Sequence, residues 1–129
     1  MTTIQDITTR ALKRIRVVAS EEAPSAADAD DTLAALNGIM LSGDMHGFPT
    51  AWTTKTLTDT FPLDGRHERG VVAMLAVNIA GTFGKPIDPD LANEAYEGQR
   101  TLQNDFSIIE DMTTDEALIN MPSRRRTYG

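Results

Sequence analysis

The sequence of 129 residues contains no cysteine, only two histidines and few aromatic side chains (four Phe, two Tyr and one Trp). The absence of cysteine excludes disulfides, cysteine-ligated metal centres and thiol catalysis. With His46 and His67 as the only histidines, a multi-histidine metal site within one chain is not expected. The aromatic residues are too few and too scattered for the stacking surfaces that bind single-stranded nucleic acids.

Long apolar runs are also missing. The longest one, which begins at Val71, is far shorter than the about 18 residues that a membrane span needs. The start of the sequence lacks the charged-then-apolar pattern of a signal peptide, so we expect an intracellular protein with no membrane partner. A chain of this length supports one hydrophobic core, which indicates one domain.

Positive charge is scarce in the middle of the chain. The net charge is −7, which argues against a dedicated duplex-binding protein because phosphate contacts need clustered Lys and Arg. Residues 1–20 carry four basic side chains and one acidic, residues 21–120 carry five basic and eighteen acidic, and residues 121–129 carry three arginines. The body is therefore acidic and both ends are basic, and an account of function has to explain this distribution.

Apolar side chains recur at helical spacing in four stretches. They predict helices over about 4–18, from 26 to between 41 and 45, over 66–83, and over 89–109. Thr3, Ser25 and Asp88 are the expected N-caps, because their side-chain oxygens can accept first-turn N–H groups. The third helix is apolar almost all round, so we expect it at the centre of the fold. Gly98 is costly inside a helix and indicates a close approach of another helix.

The stretch between the second and third helices has a different composition. Pro49 and Pro62 bracket a threonine-rich segment that contains Trp52 and Phe61. Threonine and aromatic residues favour strands. We therefore expect a small β-hairpin insertion at about residues 48–63.

The first helix carries a basic face opposite its apolar stripe. The face consists of Arg10, Lys13, Arg14 and Arg16. Two interpretations are open: a solvated surface, or a surface that meets an acidic neighbour.

No catalytic constellation stands out in the sequence. Asp44 and His46 could in principle exchange a proton, but two residues apart in a polar turn they are more typical of a turn than of a catalytic pair. His67 and Glu68 stand at a helix start and are interpreted as capping or surface residues. No glycine-rich loop matches a phosphate-binding motif. We therefore expect no enzyme, no metal and no cofactor.

The C-terminal segment is the most informative part of the sequence. After a helical domain over residues 1–109, residues 110–129 predict an extended tail with a short apolar run, a proline and three consecutive arginines. Three arginines neutralise only about three phosphates, which is weak binding at physiological salt, so protein docking is favoured over nucleic acid. A disordered solubility tail is the alternative. The candidate docking residues are Leu118, Ile119, Met121, Pro122, Arg124, Arg125, Arg126 and Tyr128.

The order of these segments resembles a known family. The similarity lies in residues 4–18, 31–40, 74–84 followed by 89–95, and Met121-Pro122-Ser123-Arg124. The family is the tail accessory, or packaged-DNA stabilisation, protein of short-tailed phages, a head-to-tail adaptor; adaptors of long-tailed phages and of gene transfer agents share the helical plan. The resemblance spans nearly the whole chain and rests on order and spacing, not on a single motif.

The resemblance implies a mainly α, four-helix bundle-like protomer with a small β-hairpin insertion and an extended C-terminal tail. Such protomers form a ring of identical subunits, usually a dodecamer, under the portal protein after DNA packaging. The tail, residues 110–129 here, would dock on the portal. Arg10, Lys13, Arg14 and Arg16 would then be inter-protomer candidates, and Trp52 and Lys55 would lie on the side of the downstream tail or nozzle protein.

The resemblance also implies a location and a relation to DNA. The protein would lie in the virion neck, at the head–tail interface, and in the host cytoplasm during assembly. Genomic DNA would pass through the ring without sequence-specific contacts, and an acidic channel wall would let it slide because like charges repel.

Two other functions are open from the residues alone. One is a small acidic helical regulatory or anti-host protein that binds a cellular protein target through its tail. A weaker one is a DNA-binding regulator that uses the first helix, although no helix-turn-helix pair is evident and the overall charge opposes it.

Overall fold

Four α-helices make up most of the computed structural model, which describes residues 1–19 and 21–106. The helices are α1 (Ile4–Arg14), α2 (Ala26–Leu41), α3 (Glu68–Ala80) and α4 (Pro89–Phe106), and two short 3-10 turns lie at Gly43–His46 and Gly65–His67. The mainly helical prediction is confirmed for this part of the chain. The predicted tail over residues 110–129 lies outside the described residues.

The predicted N-caps are confirmed at all three positions. Thr3 and Asp6 form a capping box: Asp6 N–H donates to Thr3 Oγ1 at 3.2 Å, and Thr3 N–H donates to Asp6 Oδ2 at 3.0 Å. The side chains of Ser25 and Asp88 each accept the N–H of the residue three positions later, at 3.1 and 2.7 Å. These bonds use local donors that a helix start leaves unsatisfied.

The first helix ends earlier than the sequence predicts. It stops at Arg14 because Arg16 adopts a left-handed conformation with φ of 64°, which turns the chain. Ile15 and Val18 are nevertheless buried, so these two side chains reach the core from a turn and not from a continuing helix. The prediction of a helix to residue 18 was therefore wrong, although the burial that it was based on is present.

The core is built around α3, as its apolar surface predicts. α3 packs against α1, α2 and α4. Side chains from all four helices close the core, and the buried ones include Ile4, Ile7, Leu12, Leu36, Met40, Val71, Leu75, Leu91 and Leu102. Burying each of these aliphatic side chains is worth about 1.5–3 kcal/mol relative to leaving it exposed, so this cluster dominates the stability of the fold.

Two glycines set the closest approach of α3 and α4. A Cβ placed on Gly98 would lie 2.5 Å from the Cα of Gly70, and a Cβ on Gly70 would lie 2.7 Å from the Cα of Gly98. Both obstacles are backbone atoms, which cannot move aside as a flexible side chain could. The close approach expected from Gly98 is confirmed, and Gly70 is its partner.

The expected β-hairpin at residues 48–63 is not formed. The described residues contain no strand, and the segment makes only one isolated bridge, between Thr60 and Thr3. Its backbone bonds instead with the start of α1: Ile4 N–H donates to the carbonyl of Asp59 at 2.8 Å, and Gln5 N–H donates to that of Leu57 at 2.9 Å. The carbonyls of this segment thus satisfy N–H groups in the first turn of α1. The hairpin prediction was wrong because the hydrogen-bonding partner of the segment, the start of α1, lies far away in sequence.

Asn37 of α2 holds the middle of the same segment. Its Oδ1 accepts from Trp52 Nε1 at 3.0 Å and from the backbone N–H of Lys55 at 2.9 Å, and its Nδ2 donates to the carbonyl of Lys55 at 3.0 Å. The side-chain amide of Asn37 therefore makes the two backbone hydrogen bonds at Lys55 that a neighbouring strand would otherwise make. It also fixes the indole of Trp52, which is only 7% exposed.

Gly98→Ala tests the helix crossing. We expect the free energy of unfolding to fall by about 1–3 kcal/mol, because the new methyl group forces the two backbones apart. The intrinsic helix preference of alanine, about 0.5–1 kcal/mol, is too small to offset this. Urea denaturation followed by circular dichroism gives the value. Gly38→Ala is the matched control in α2, where a Cβ meets nothing within 4 Å, and it should stabilise the protein. Equal effects of the two substitutions would contradict the role given to the crossing.

Asn37→Ala tests how the segment at residues 48–63 is held. The change leaves the Trp52 indole and the Lys55 backbone without three bonds, so we expect a loss of about 2–3 kcal/mol in the free energy of unfolding. Fluorescence of Trp52, the only tryptophan, should shift to the red as the indole meets water. Asn93→Ala on the exposed side of α4 is the control and should change stability by less than about 0.5 kcal/mol. An unshifted emission spectrum in Asn37→Ala would speak against this anchoring.

Candidate functional site

An apolar groove separates α2 from α4. It has a volume of about 630 Å³, and its floor is formed by Met74 and Val77 of α3. Ile39 lines it from α2 and Tyr96 from α4, and the Tyr96 side is open to solvent because this residue is 61% exposed. No Asp, Glu, Lys or Arg is among the described residues that line it. A surface with this lining suits an apolar segment of protein, so the groove is a candidate docking site.

The groove exists because α3 is more apolar than its neighbours can cover. Three helices pack around α3, and Met74 and Val77 remain half-buried. The sequence signal was present in the all-round apolar character of α3. It was interpreted as a central position in the fold, and the groove was missed because the number and placement of the covering helices are not local properties of the sequence.

A polar contact at His46, one of the residues that line the groove, joins α4 to the turn that follows α2. Gln103 Nε2 donates to the carbonyl of His46 at 2.8 Å. His46 stacks on Phe48, with ring centroids 6.3 Å apart. The described residues show no hydrogen bond or ion pair between Asp44 and His46, so the structure does not bring this pair together as a proton-transfer unit.

The basic face of α1 is partly neutralised within the chain. Arg14 reaches Glu94 at 2.6 Å, and Arg69 reaches the other oxygen of the same carboxylate at 2.9 Å. Arg10 pairs with Glu68 at 3.1 Å. The hydrogen bonds from Arg14 and then from Arg69 lower the pKa of Glu94 below its ordinary value of 4.5, because both stabilise the charged carboxylate.

The other two basic residues predicted on that face are placed differently. Lys13 makes no ion pair with a described residue, and it lies beside a shallow groove that Glu21 and Glu22 also line. Arg16 is outside α1, at the left-handed turn. The four inter-protomer candidates therefore do not form one free helical face: Arg10 and Arg14 bind α3 and α4, whereas Lys13 and Arg16 lack such partners in the described part of the chain.

Trp52 and Lys55 lie together but not at a hairpin tip. The Trp52 ring packs edge-on against Phe61, with centroids 6.3 Å apart, and belongs to the core. Lys55 Nζ lies 5.7 Å from the centre of the Trp52 ring and donates to Thr53 Oγ1 at 2.9 Å. The indole is thus a structural element of the loop, and of these two candidate contacts Lys55 is the more accessible.

His67 was interpreted as a capping or surface residue: it stands at the N-cap position of α3, but its side chain makes no capping bond and is not at the surface. It is only 3% exposed, and its Nε2 lies 2.8 Å from Asp105 Oδ2 near the end of α4. Arg66 contacts the same oxygen at 2.7 Å. The cluster ties the turn before α3 to α4, and its position in the fold gives it a structural role.

Neither a metal cluster nor a membrane-spanning helix is found among the described residues. Among the described residues, no group of three or more His, Asp or Glu side chains is arranged to hold a metal ion. None of the described helices has the length and apolar character needed to cross a bilayer.

Comparison with protein-family models, with curated proteins and with solved structures finds no match. The candidate tail residues Leu118, Ile119, Met121, Pro122, Arg124, Arg125, Arg126 and Tyr128 lie outside the described residues.

Glu94→Gln tests the two ion pairs that join α4 to Arg14 of α1 and to Arg69 of α3. Partly exposed pairs are worth about 0.2–1 kcal/mol each, so we expect a loss of about 1 kcal/mol at pH 7. Because the folded-state pKa is lowered, the stabilisation is present above pH 4.5 and is lost as the pH falls through the folded-state value. Urea denaturation at several pH values should show the two proteins converging in acid. Glu97→Gln, on the exposed face of the same helix, is the control, and a constant difference between wild type and Glu94→Gln at all pH values would contradict the assignment.

Proposed function

We propose that the protein is a structural virion protein, a head-to-tail adaptor. It binds the portal protein as a ring, extends the DNA channel, retains packaged DNA and links the head to the downstream tail or nozzle protein. The supporting observation is the position of the four helices: α1, α2, α3 and α4 fall on the segments whose order resembles the adaptor family. It is not an enzyme in this proposal, and it acts in the virion neck.

The charge distribution supports a protein that DNA passes through and does not bind. Residues 17–54 contain six acidic side chains and no Lys or Arg. Asp30 and Asp31, near the start of α2, are exposed. An acidic surface repels phosphates, so a channel wall of this character retains little grip on passing DNA.

A ring of identical subunits requires two different contact surfaces on each protomer. Lys13 and Arg16 are basic side chains without ion pairs to described residues, and they are suited to an acidic neighbour. Arg10 and Arg14 would contribute only if their pairs with Glu68 and Glu94 opened or were shared. The subunit number proposed is twelve, by analogy with the family.

The tail is the proposed portal anchor, and its removal is the direct test. Deleting residues 117–129 leaves every residue of the described core in place, so circular dichroism should be unchanged. Attachment to the cognate portal should be lost, as measured by sedimentation and by electron microscopy of the mixture. A truncated protein that still joined the portal as a ring would refute the anchor. Native particles whose neck contains no density for this chain would refute the adaptor function itself.

A matched pair of charge variants refines this test. Arg124→Ala with Arg125→Ala removes two positive charges from the tail, and Lys85→Ala with Arg100→Ala removes two from the body. We expect only the tail pair to weaken portal binding. Equal weakening by both pairs would indicate a general charge effect and would contradict specific docking by the tail.

The second candidate function is the small regulatory or anti-host protein with one cellular protein target. The observation that favours it is the apolar groove between α2 and α4, which has room for one peptide segment. This function predicts a protein that stays monomeric in the presence of portal. The ring assay therefore separates the two candidates.

A further inference from the structure

We propose that the apolar groove between α2 and α4 is the docking site of the chain's own segment 117–121. The free protomer would then hold the apolar part of its tail against its own body. The docking needs no portal, so it does not rest on the proposed function. Its consequence for assembly does, because a tail that is held in the groove has to be released before it can anchor elsewhere.

The groove is lined by apolar side chains together with the uncharged polar residues Ser42, Asn78 and Gln99, so it suits a mainly apolar occupant. Ile39, Met74 and Val77 remain only partly buried, and Tyr96 is mostly exposed. No charged Asp, Glu, Lys or Arg from the described residues lines the groove, so a charged segment would lose hydration there without gaining a partner. Covering these side chains with other apolar side chains removes apolar surface from water, and this burial favours docking.

The sequence of the tail offers one compact apolar segment with charged flanks. Leu118, Ile119 and Met121 stand close together, between Asp115–Glu116 on one side and Arg124–Arg126 on the other. The apolar side chains match the groove, and the charged flanks can stay in water beyond its ends.

The described part of α4 ends close to the groove in sequence. His46 lines the groove and accepts a hydrogen bond from Gln103, and Phe106, the last described residue, lies three positions after Gln103. From Gln103 back to Tyr96 the helix rises about 10 Å. Ten residues lie between Phe106 and residue 117, and the eleven steps from Phe106 to residue 117 can span up to about 35–40 Å when extended. The tether is therefore long enough for residues 117–121 to turn back along the groove.

Tethering also decides between the chain's own tail and that of a second copy. A short flexible linker gives the attached segment an effective concentration in the millimolar range. A second copy at micromolar concentration competes poorly with it. The groove is thus expected to bind its own tail in a dilute monomer, with exchange between copies only at high protein concentration.

Disulfide trapping in the otherwise cysteine-free chain tests the docking. Gln99→Cys places a thiol at the groove, and Ile119→Cys places its partner in the tail. The control combines Ile119→Cys with Glu97→Cys, which lies two positions earlier on α4 and lines a different groove beside Gly98. The full-length protein is oxidised mildly at about 5 µM, a concentration far below the millimolar effective concentration of a tethered segment, so that interchain products are disfavoured. We expect the groove pair to form an intrachain disulfide at least about tenfold faster than the control. Non-reducing gels and mass spectrometry distinguish intrachain from interchain products.

Equal rates for the two cysteine pairs would overturn the proposal. A predominantly interchain product from the groove pair would also overturn it and would assign the groove to a second copy. An independent measurement uses the full chain without cysteines: the methyl NMR signal of Met74 should shift in Leu118→Asp with Ile119→Asp, and an unchanged signal counts against docking. These failures would leave the portal-binding result untouched, so the two proposals can fail separately.

Discussion

The contact between the backbones of Gly70 and Gly98 constrains the rest of the structure. It places α4 against one side of α3, so close that there is no room for a methyl group between the two backbones. At that distance Glu94 lies between Arg14 and Arg69, and Asp105 meets His67 and Arg66. The same placement leaves Met74 and Val77 facing a gap towards α2. The ion pairs and the groove are therefore both consequences of one helix crossing.

Features set by neighbours in sequence were predictable, and features set by distant contacts were not. The caps at Thr3 and Asp88 depend on residues within one helical turn, so the pattern identified them. The cost of a glycine inside a helix pointed to Gly98, but its partner Gly70 depends on how two helices cross. The end of α1 was missed because Arg16, a residue that rarely adopts positive φ, forms the turn.

The segment at residues 48–63 shows how tertiary context overrides propensity. Its threonine and aromatic content favours a strand, yet its backbone bonds with the first turn of α1 and with Asn37. The same kind of distant pairing changed the candidate site. Helical spacing placed Arg10 and Arg14 on a basic face and made them inter-protomer candidates, and their acidic partners are 58 and 80 residues away in sequence. A pattern that is read along one helix cannot reveal these partners.

The internal ion pairs also alter what the charge distribution means for partners. Two of the four basic side chains near the start of the chain are already matched by Glu68 and Glu94, so the three consecutive arginines of the tail form the most concentrated basic feature left for binding. In the proposed assembly, partner recognition would therefore depend more on the C-terminal segment than on α1. If that segment both occupies its own groove and anchors on a portal, the two contacts exclude each other because they use the same apolar side chains. The groove of the same chain and the portal would then compete for the tail. A ring binds the portal through several tails at once, and this avidity would compensate for the binding free energy that each tail loses on leaving its groove.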